Sequence, residues 1–319
     1  MTGAREDGPN KPQFERQQGQ EPMNKLGVHA LVWEAGWSRD ESARAIAKTA
    51  EVGFDLIEAS ALDPSLIDVA FTQKELEKNG LAITFSLGLD DATDISSTDP
   101  EKIRRGKAQL EQAISVARDL NASHVCGILF SAFQKYAVPT TAEGVKNSVE
   151  VLQQVAEIAA RSNITLGLEV VNRYETNVLN TAAQGVEMCR RIGAPNVKLH
   201  LDVYHMNIEE SDIAQAIRET GDMIGYFHTG DSHRGYMGSG SIDLQSVFRA
   251  LVATGYEGPI TFESFSSRVV GQPLEGILGI WRNLWEDGHD LAAHALMYTK
   301  AQLKAAREVQ KQASRSKLP

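Results

Sequence analysis

The sequence is short of cysteine. Only Cys126 and Cys189 occur among its 319 residues, and each lies inside an apolar segment. Two isolated thiols of this kind do not indicate a disulfide framework, so we interpret both as buried core residues. Proteins without disulfides are typical of reducing compartments, and the predicted location is therefore cytoplasmic.

Positive charge and long hydrophobic runs are also scarce. Lys and Arg number 32 against 42 Asp and Glu, which gives a formal net charge of −10. Nucleic acids and anionic membrane surfaces require clustered positive charge, so neither is an expected partner. No apolar run approaches the roughly 18 residues that a membrane helix needs. The composition favours a small-molecule ligand instead.

Residues 1–22 lack the large apolar side chains that a folded segment needs. They are rich in Gly, Pro, Gln and charge, and they end just before a second methionine, Met23. We interpret them as a disordered extension. The remaining residues, 23–319, contain enough apolar material for a single catalytic domain.

From Leu26 onward, short apolar runs alternate with longer segments of helical period, a pattern typical of βαβ units. Strands that are buried on both faces have such continuous apolar runs. Eight strands, each followed by a helix, predict an α/β fold of the (β/α)₈ or TIM-barrel class. The predicted strands are 26–33, 55–60, 82–89, 123–130, 164–172, 196–203, 224–230 and 258–265.

The helices between these strands carry their own signals. Ser38 and Glu41 have the spacing of a capping box at a helix start. Near the C-terminus, five large apolar residues share the spacing of one helical stripe, which predicts packing against the barrel or at a subunit interface. These are Ile277, Ile280, Trp281, Leu284 and Trp285. A long, charge-rich helix is predicted to follow, ending near residue 312.

Four ionisable residues interrupt the last four apolar runs near their carboxyl ends. They are Glu169, Asp202, His228 and Glu263, on predicted strands five to eight. In a parallel barrel the active site lies at this end of the strands. Any one of these residues could be a structural strand-end group paired with an Arg or a helix N-terminus. Four on successive strands favour a divalent cation, because buried charges need a partner and an oxygen-rich set with one imidazole suits Mn²⁺, Mg²⁺ or Co²⁺.

Further polar residues stand in the segments that follow these strands. They are Arg173, Glu175, His205, His233 and Arg234. An Arg fork or an imidazole can hold a substrate oxygen, but a solvated or structural role is equally open for each. Spacing alone therefore assigns them no function.

Several longer motifs resemble the signature segments of the ketose 3-epimerases. They are LEVVNRYETNVLNTAAQG (168–185), HLDVYHMNIEE (200–210), FHTGDSHRGYMGSG (227–240) and FESFSS (262–267). This family contains the D-tagatose, D-allulose (D-psicose) and L-ribulose 3-epimerases and lies within the xylose-isomerase-like barrels. The resemblance runs from about Lys25 to the region of Tyr298.

The resemblance implies a metal-dependent isomerase. Glu169, Asp202, His228 and Glu263 match the family's metal ligands, with Mn²⁺ or Co²⁺ as the usual ion and Mg²⁺ possible. Glu169 and Glu263 also match its two catalytic carboxylates. The family's members imply a homodimer or a homotetramer.

The resemblance also implies a substrate pocket. Glu175, His205 and Arg234 match groups that hold the O1 to O3 end of a sugar, and Trp33 matches an aromatic residue that lines the pocket. Asp231 departs from the family, since many members have Glu there. The residues that match the family's metal ligands and catalytic carboxylates are all present, so this departure bears only on which sugar is preferred.

The implied reaction interconverts C3 epimers of free ketoses through a cis-enediolate. The pairs are D-fructose with D-allulose, D-tagatose with D-sorbose and L-ribulose with L-xylulose. One alternative is an aldose–ketose isomerase of the same barrel class, which usually needs a lysine base, and no predicted strand ends in Lys. The other is a non-catalytic sugar-binding barrel.

Removal of residues 1–22 tests the predicted extension. We expect turnover and melting temperature to equal those of the full chain, because this segment has few apolar groups with which to pack. Calorimetry and an activity assay on both chains provide the measurement. A clear loss of either property would show that the segment contacts the barrel.

Overall fold

The computed structural model describes residues 24–315, and within them eight parallel strands close into a barrel. Neighbouring strands follow chain order, and the last strand pairs with the first through Leu26–Ile260 and Val28–Phe262. The predicted barrel is confirmed, whereas the predicted extension at 1–22 lies outside the described residues. The strands are β1 Leu26–His29, β2 Leu56–Ser60, β3 Ala82–Leu89, β4 His124–Ala132, β5 Thr165–Val170, β6 Val197–Asp202, β7 Ile224–Thr229 and β8 Ile260–Phe262.

Helices surround the barrel and join successive strands. They are α1 Arg39–Val52, α2 Val69–Asn79, α3 Pro100–Asp119, α4 Ala142–Ala160, α5 Ala182–Ile192, α6 Val203–Glu209, α7 Ile213–Thr220, α8 Leu244–Ala253, α9 Ser267–Val270, α10 Leu274–Leu278 and α11 Gly288–Arg315. Ser38 and Glu41 form the predicted capping box at the start of α1. No helix within residues 24–315 has both the length and the hydropathy needed to cross a bilayer.

The core lies in the barrel interior and between the strands and the helices. Cys126 and Cys189 are both buried there as free thiols, as predicted. On α4, Leu152, Val155 and Ala159 face the sheet and are fully buried. Helix α11 packs against α8 and α1, and its bounds match the long helix expected near the C-terminus.

Two strands, β1 and β8, are much shorter than their predicted apolar runs. β1 ends at His29, where the His29 Nδ1 atom accepts a hydrogen bond from the backbone N–H of Leu31 at 3.2 Å and starts a short 3₁₀ turn over Ala30–Val32. β8 ends at Phe262, so Glu263 stands just past the strand. At β1 the apolar run in the sequence is longer than the strand because the His29 side chain caps the turn that follows it.

The predicted apolar stripe near the C-terminus is wrong. Helix α10 ends at Leu278 because Gly279 adopts a left-handed conformation with φ of 67°. The two tryptophans then separate: Trp285 is buried and donates its indole N–H to Ser264 Oγ at 2.8 Å, whereas Trp281 is 74% exposed. The helical spacing of the apolar residues does not predict that a single glycine ends the helix between Ile277 and Ile280.

Gly106 on α3 provides a test of how closely the helices approach the barrel loops. Ala in place of a helical Gly normally stabilises a helix by about 1 kcal/mol. Here an added Cβ would lie 2.1 Å from the Thr93 carbonyl oxygen and 2.5 Å from Ile95. We therefore expect Gly106→Ala to lower the free energy of unfolding by about 1 to 3 kcal/mol, as measured in urea.

Gly276→Ala is the matched control. This exposed glycine lies inside α10, and the nearest atom to its added Cβ is the flexible Gln272 side chain at 3.1 Å. We expect no loss of stability there. Equal effects at both positions would contradict the close approach at Gly106.

Candidate active site

The four ionisable residues predicted at the strand ends lie together at one mouth of the barrel. Glu169 is on β5, Asp202 ends β6, His228 is on β7 and Glu263 follows β8. One ligand atom from each lies within 4.8 Å of the others, and all four side chains are buried. The sequence prediction that these residues converge is therefore confirmed by the geometry.

Strand pairing sets their positions. Asp202 and His228 are directly opposite one another in the β6–β7 register. The Asp202 carboxylate also accepts a hydrogen bond from the Tyr204 N–H at 2.6 Å, which caps α6 and fixes the side chain. The N–H of Glu263 donates to the Thr229 carbonyl at 3.0 Å, so strand-like pairing continues one residue past β8.

His228 faces the carboxylates with one nitrogen. Its Nδ1 atom lies 3.5 Å from Asp202 Oδ2, 3.6 Å from Glu263 Oε1 and 3.7 Å from Glu169 Oε1. Within the described residues this buried atom has no hydrogen-bond partner. Three carboxylate oxygens and one orphaned imidazole nitrogen fit a divalent cation such as Mn²⁺, Co²⁺ or Mg²⁺.

The electrostatics of the site also favour a cation. Burial raises the pKa of Glu169 well above its ordinary value, and the nearby Glu263 and Asp202 carboxylates raise it further. Burial alone would raise the pKa of Asp202 as well, but Arg234 and other cationic neighbours lower it well below its ordinary value. The site therefore holds more negative charge than its own cationic side chains neutralise.

Arg234 is the cation closest to these carboxylates. Its Nη1 atom donates to Asp202 Oδ2 at 3.0 Å and to Glu263. The guanidinium lies over the rings of Tyr204 and Phe265, 3.9 Å and 4.9 Å from their centroids. Its backbone has φ of 61°, in the left-handed region that a long side chain such as arginine seldom adopts. The resemblance places Arg234 on the sugar, and the structure adds direct contacts to two of the three cluster carboxylates, Asp202 and Glu263.

His205 presents one ring nitrogen to the same space. Its Nδ1 atom accepts hydrogen bonds from the backbone N–H of Asn172 at 3.2 Å and from the Asn172 side chain at 2.8 Å. In a neutral ring the hydrogen is then on Nε2. That atom lies 3.9 Å from Glu169 and 3.8 Å from Glu175, so His205 can donate to a ligand oxygen between them.

A cleft opens above these residues. Of the four cluster residues, Glu169 and Glu263 line the cleft, whereas Asp202 and His228 do not. The remaining wall is largely apolar and includes Leu31, Leu62, Leu87, Ile128, Phe133, Phe265, Leu274 and Leu278. Glu175, His205 and Arg234 also line it, so the predicted polar substrate groups and the two predicted catalytic carboxylates share one cavity.

Trp33 does not line this cleft. It is buried, and its indole N–H donates to Thr49 Oγ1 on α1 at 2.9 Å. The turn after β1 directs His29 and Leu31 into the cleft instead. The expectation that Trp33 lines the pocket is therefore corrected, because β1 ends four residues before it and the chain turns toward α1.

The remaining polar candidates lie farther out. Arg173 forms an ion pair with Glu209 at 2.7 Å and is largely exposed. His233 lines a neighbouring pocket that also includes Tyr204 and Trp281. Neither contacts the ligand cluster.

Sequence reasoning missed two groups at the site. His29 donates through Nε2 to Ser86 Oγ at 2.9 Å inside the cleft, given that its Nδ1 accepts from the backbone. Glu58, on β2, is fully buried and contacts the Nε2 atom of His228 at 2.8 Å. Both carry the same signal as the predicted cluster residues, a polar residue in a short apolar run, but they lie on the first two strands and not on the last four.

Comparison with known proteins agrees with this geometry. A family model described as the xylose isomerase-like TIM barrel matches residues 46–300. The ketose 3-epimerase of Arthrobacter globiformis is 46% identical over 286 residues, covering 90% of this chain and 99% of the relative. The L-ribulose 3-epimerase of Methylomonas sp. strain DH-1 is 47% identical over 276 residues, covering 86% and 96%.

Solved structures give the same relationship. The D-allulose 3-epimerase from Methylomonas sp., crystallised with D-allulose, superposes with a TM-score of 0.87 at 46% identity and covers 88% of this chain and 98% of that chain. Each alignment covers nearly the whole of the relative. This chain is accordingly an isomerase that belongs to the ketose 3-epimerase family of xylose isomerase-like TIM barrels.

Proposed function

We propose that this enzyme interconverts the C3 epimers of free ketoses with two carboxylates, one of which removes the C3 proton while the other returns a proton to the opposite face. Candidate pairs are D-fructose with D-allulose, D-tagatose with D-sorbose and L-ribulose with L-xylulose. One observation carries the proposal: Glu169 and Glu263, from β5 and β8, are the two members of the ligand cluster that line the cleft. Relatives that act on L-ribulose and D-allulose support the choice of substrate class.

The chemistry requires an acid and a base on opposite faces of C3. A hydrogen beside a ketone is weakly acidic, and its removal leaves an enediolate that must be reprotonated from the other side. Glu169 takes the proton on one face and Glu263 delivers one on the other, or the reverse for the reverse reaction. These two residues, with Asp202 and His228, would hold a divalent cation, which would supply Lewis-acid stabilisation of the developing negative charge. Mn²⁺ or Co²⁺ is the proposed ion, with Mg²⁺ as the other choice.

Three further residues would orient the sugar. His205 offers its Nε2 hydrogen to the oxygen on which negative charge develops, because Asn172 fixes the ring. Arg234 adds positive potential at the same place, and Glu175 accepts from a sugar hydroxyl. Each lines the cleft beside Glu169.

The cleft lining argues against hydrogen transfer between C1 and C2. Aldose–ketose isomerases of this barrel class usually use a lysine base, and none of the residues lining the cleft is a lysine. A non-catalytic sugar-binding barrel would have no use for two buried carboxylates that face the cleft. The epimerase remains the function that the residues support best.

We also propose a cytoplasmic homodimer or homotetramer. Free, buried Cys126 and Cys189 are consistent with a reducing compartment. Ile277 and Trp281 are 51% and 74% exposed at the same mouth of the barrel, and adjacent exposed apolar side chains are typical of subunit contacts.

Removal of the cation tests the metal site. We expect chelation to abolish turnover and to lower the melting temperature, and Mn²⁺ or Co²⁺ to restore both, because a cation that binds the folded state stabilises it by mass action. Metal content by mass spectrometry, calorimetry and activity are measured on the same samples. Full activity in a verified metal-free preparation would contradict the site.

Solvent deuterium tests the carbon that reacts. With D-fructose or D-allulose in D₂O, we expect the epimerised product to carry deuterium at C3 and none at C1, because the returning proton comes from a carboxylate that has exchanged with water. Glu169→Gln and Glu263→Gln should each abolish epimerisation, since an amide is neither an effective acid nor an effective base. NMR of the product gives the position of the label.

Glu75→Gln is the control for these variants. Glu75 is a buried carboxylate on α2 that pairs with Lys78 at 2.9 Å and does not line the cleft. It should leave epimerisation unchanged. Label at C1, or turnover that survives in either site variant, would exclude the two-carboxylate reaction at C3.

A further inference from the structure

We propose that Glu58 is a positioning residue for the cation site, which it controls through His228. The inference rests on the proposed metal-dependent function. Glu58 does not belong to the ligand cluster and does not line the cleft, so it reaches neither cation nor sugar. Its one hydrogen-bond partner among the described residues is His228.

The contact crosses the interior of the barrel. Glu58 is on β2 and His228 on β7, which are not neighbouring strands. Glu58 Oε2 accepts from His228 Nε2 at 2.8 Å, and the two side chains are 0% and 1% exposed. A fully buried carboxylate that spans a barrel to reach one imidazole nitrogen is costly to place, because burying the charge removes its hydration. Packing alone therefore does not explain why a carboxylate stands at this position.

The contact with Glu58 determines whether Nδ1, the other ring nitrogen of His228, carries a hydrogen. A neutral imidazole has one N–H, so donation from Nε2 leaves Nδ1 with a free lone pair. Nδ1 is the atom that faces Glu169, Asp202 and Glu263 at 3.5 to 3.7 Å. An acceptor at Nε2 thus fixes the tautomer that can bind a cation, and it also fixes the rotation of the ring about its Cβ.

The negative charge of Glu58 adds to this effect. A carboxylate behind a metal-binding histidine makes the imidazole a stronger electron donor, and loss of such a partner typically weakens metal affinity by about 10- to 100-fold. The Glu58 Oε1 atom accepts no hydrogen bond from any described residue. An uncharged amide would satisfy Nε2 equally well, so charge is the property that distinguishes Glu from Gln here.

Two substitutions separate hydrogen bonding from charge. Glu58→Gln keeps an acceptor for Nε2 but removes the charge, whereas Glu58→Met keeps the length and removes both. We expect the Kd for Mn²⁺, measured by electron paramagnetic resonance of the free ion, to rise by about 10- to 100-fold in Glu58→Met. Glu58→Gln should lie between the wild type and Glu58→Met, and Glu75→Gln should match the wild type.

Three readouts distinguish positioning from a structural role. The metal-free Glu58→Gln variant should keep the melting temperature of the wild type, because its amide oxygen still accepts from the His228 Nε2–H that Glu58→Met leaves without a partner. The visible absorption spectrum of bound Co²⁺ should change in Glu58→Met, since the ligand geometry changes. At saturating metal, Glu58→Gln should recover most of the turnover that it loses at low metal.

The outcomes are distinct for the two proposals. If the wild type binds no Mn²⁺, the proposed metal-dependent function fails. If the wild type binds Mn²⁺ and a folded Glu58→Met variant binds it equally well, the role of Glu58 is overturned and the function stands.

A measurement on the wild type covers the case in which neither variant folds. Long-range ¹H–¹⁵N NMR of histidine-labelled, Zn²⁺-loaded enzyme should show the His228 proton on Nε2, with the signal identified by its absence in His228→Gln. A proton on Nδ1 would overturn the inference.

Discussion

Buried negative charge is the constraint on which the rest of this structure depends. Glu169, Asp202 and Glu263 bring carboxylate oxygens within 4.8 Å of one another at the mouth of the barrel, and Glu58 lies behind them with no exposed surface. Charges held this close in a poorly hydrated space repel strongly unless a cation lies among them. His228 and Arg234 provide part of that compensation, and the proposed divalent ion would provide the rest.

The barrel holds these closely spaced charges in place. Each carboxylate is fixed by a different strand, and the strands are joined by backbone hydrogen bonds around a closed ring, so the residues cannot move apart to relieve repulsion. Local contacts add to this: Asp202 is held by the Tyr204 N–H, and Arg234 by stacking on Phe265. A site of this kind is preorganised, because its reorganisation is opposed by the whole sheet.

The same geometry divides the cluster into two layers. Asp202 and His228 are covered, whereas Glu169 and Glu263 line the cleft. In the proposed mechanism, this division would allow Glu169 and Glu263 to transfer protons beside a bound cation. The rest of the cleft wall is largely apolar, with Leu87 as one example. Most polar contacts with a bound sugar would therefore come from the charged residues.

The sequence by itself determined the architecture and the four cluster residues. A buried parallel strand has a continuous apolar run, so a lone Glu, Asp or His inside such a run is visible in the letters, and parallel strands bring their carboxyl ends to one edge. Only the tertiary structure decided what depends on where the chain turns: β1 ends at His29, which directs that residue into the cleft and leaves Trp33 against Thr49. Likewise, the pairing of Glu58 with His228 joins residues 170 positions apart on strands that are not neighbours. Local periodicity contains no information about such a contact, because the closure of the barrel, and not the spacing along the chain, brings the two side chains together.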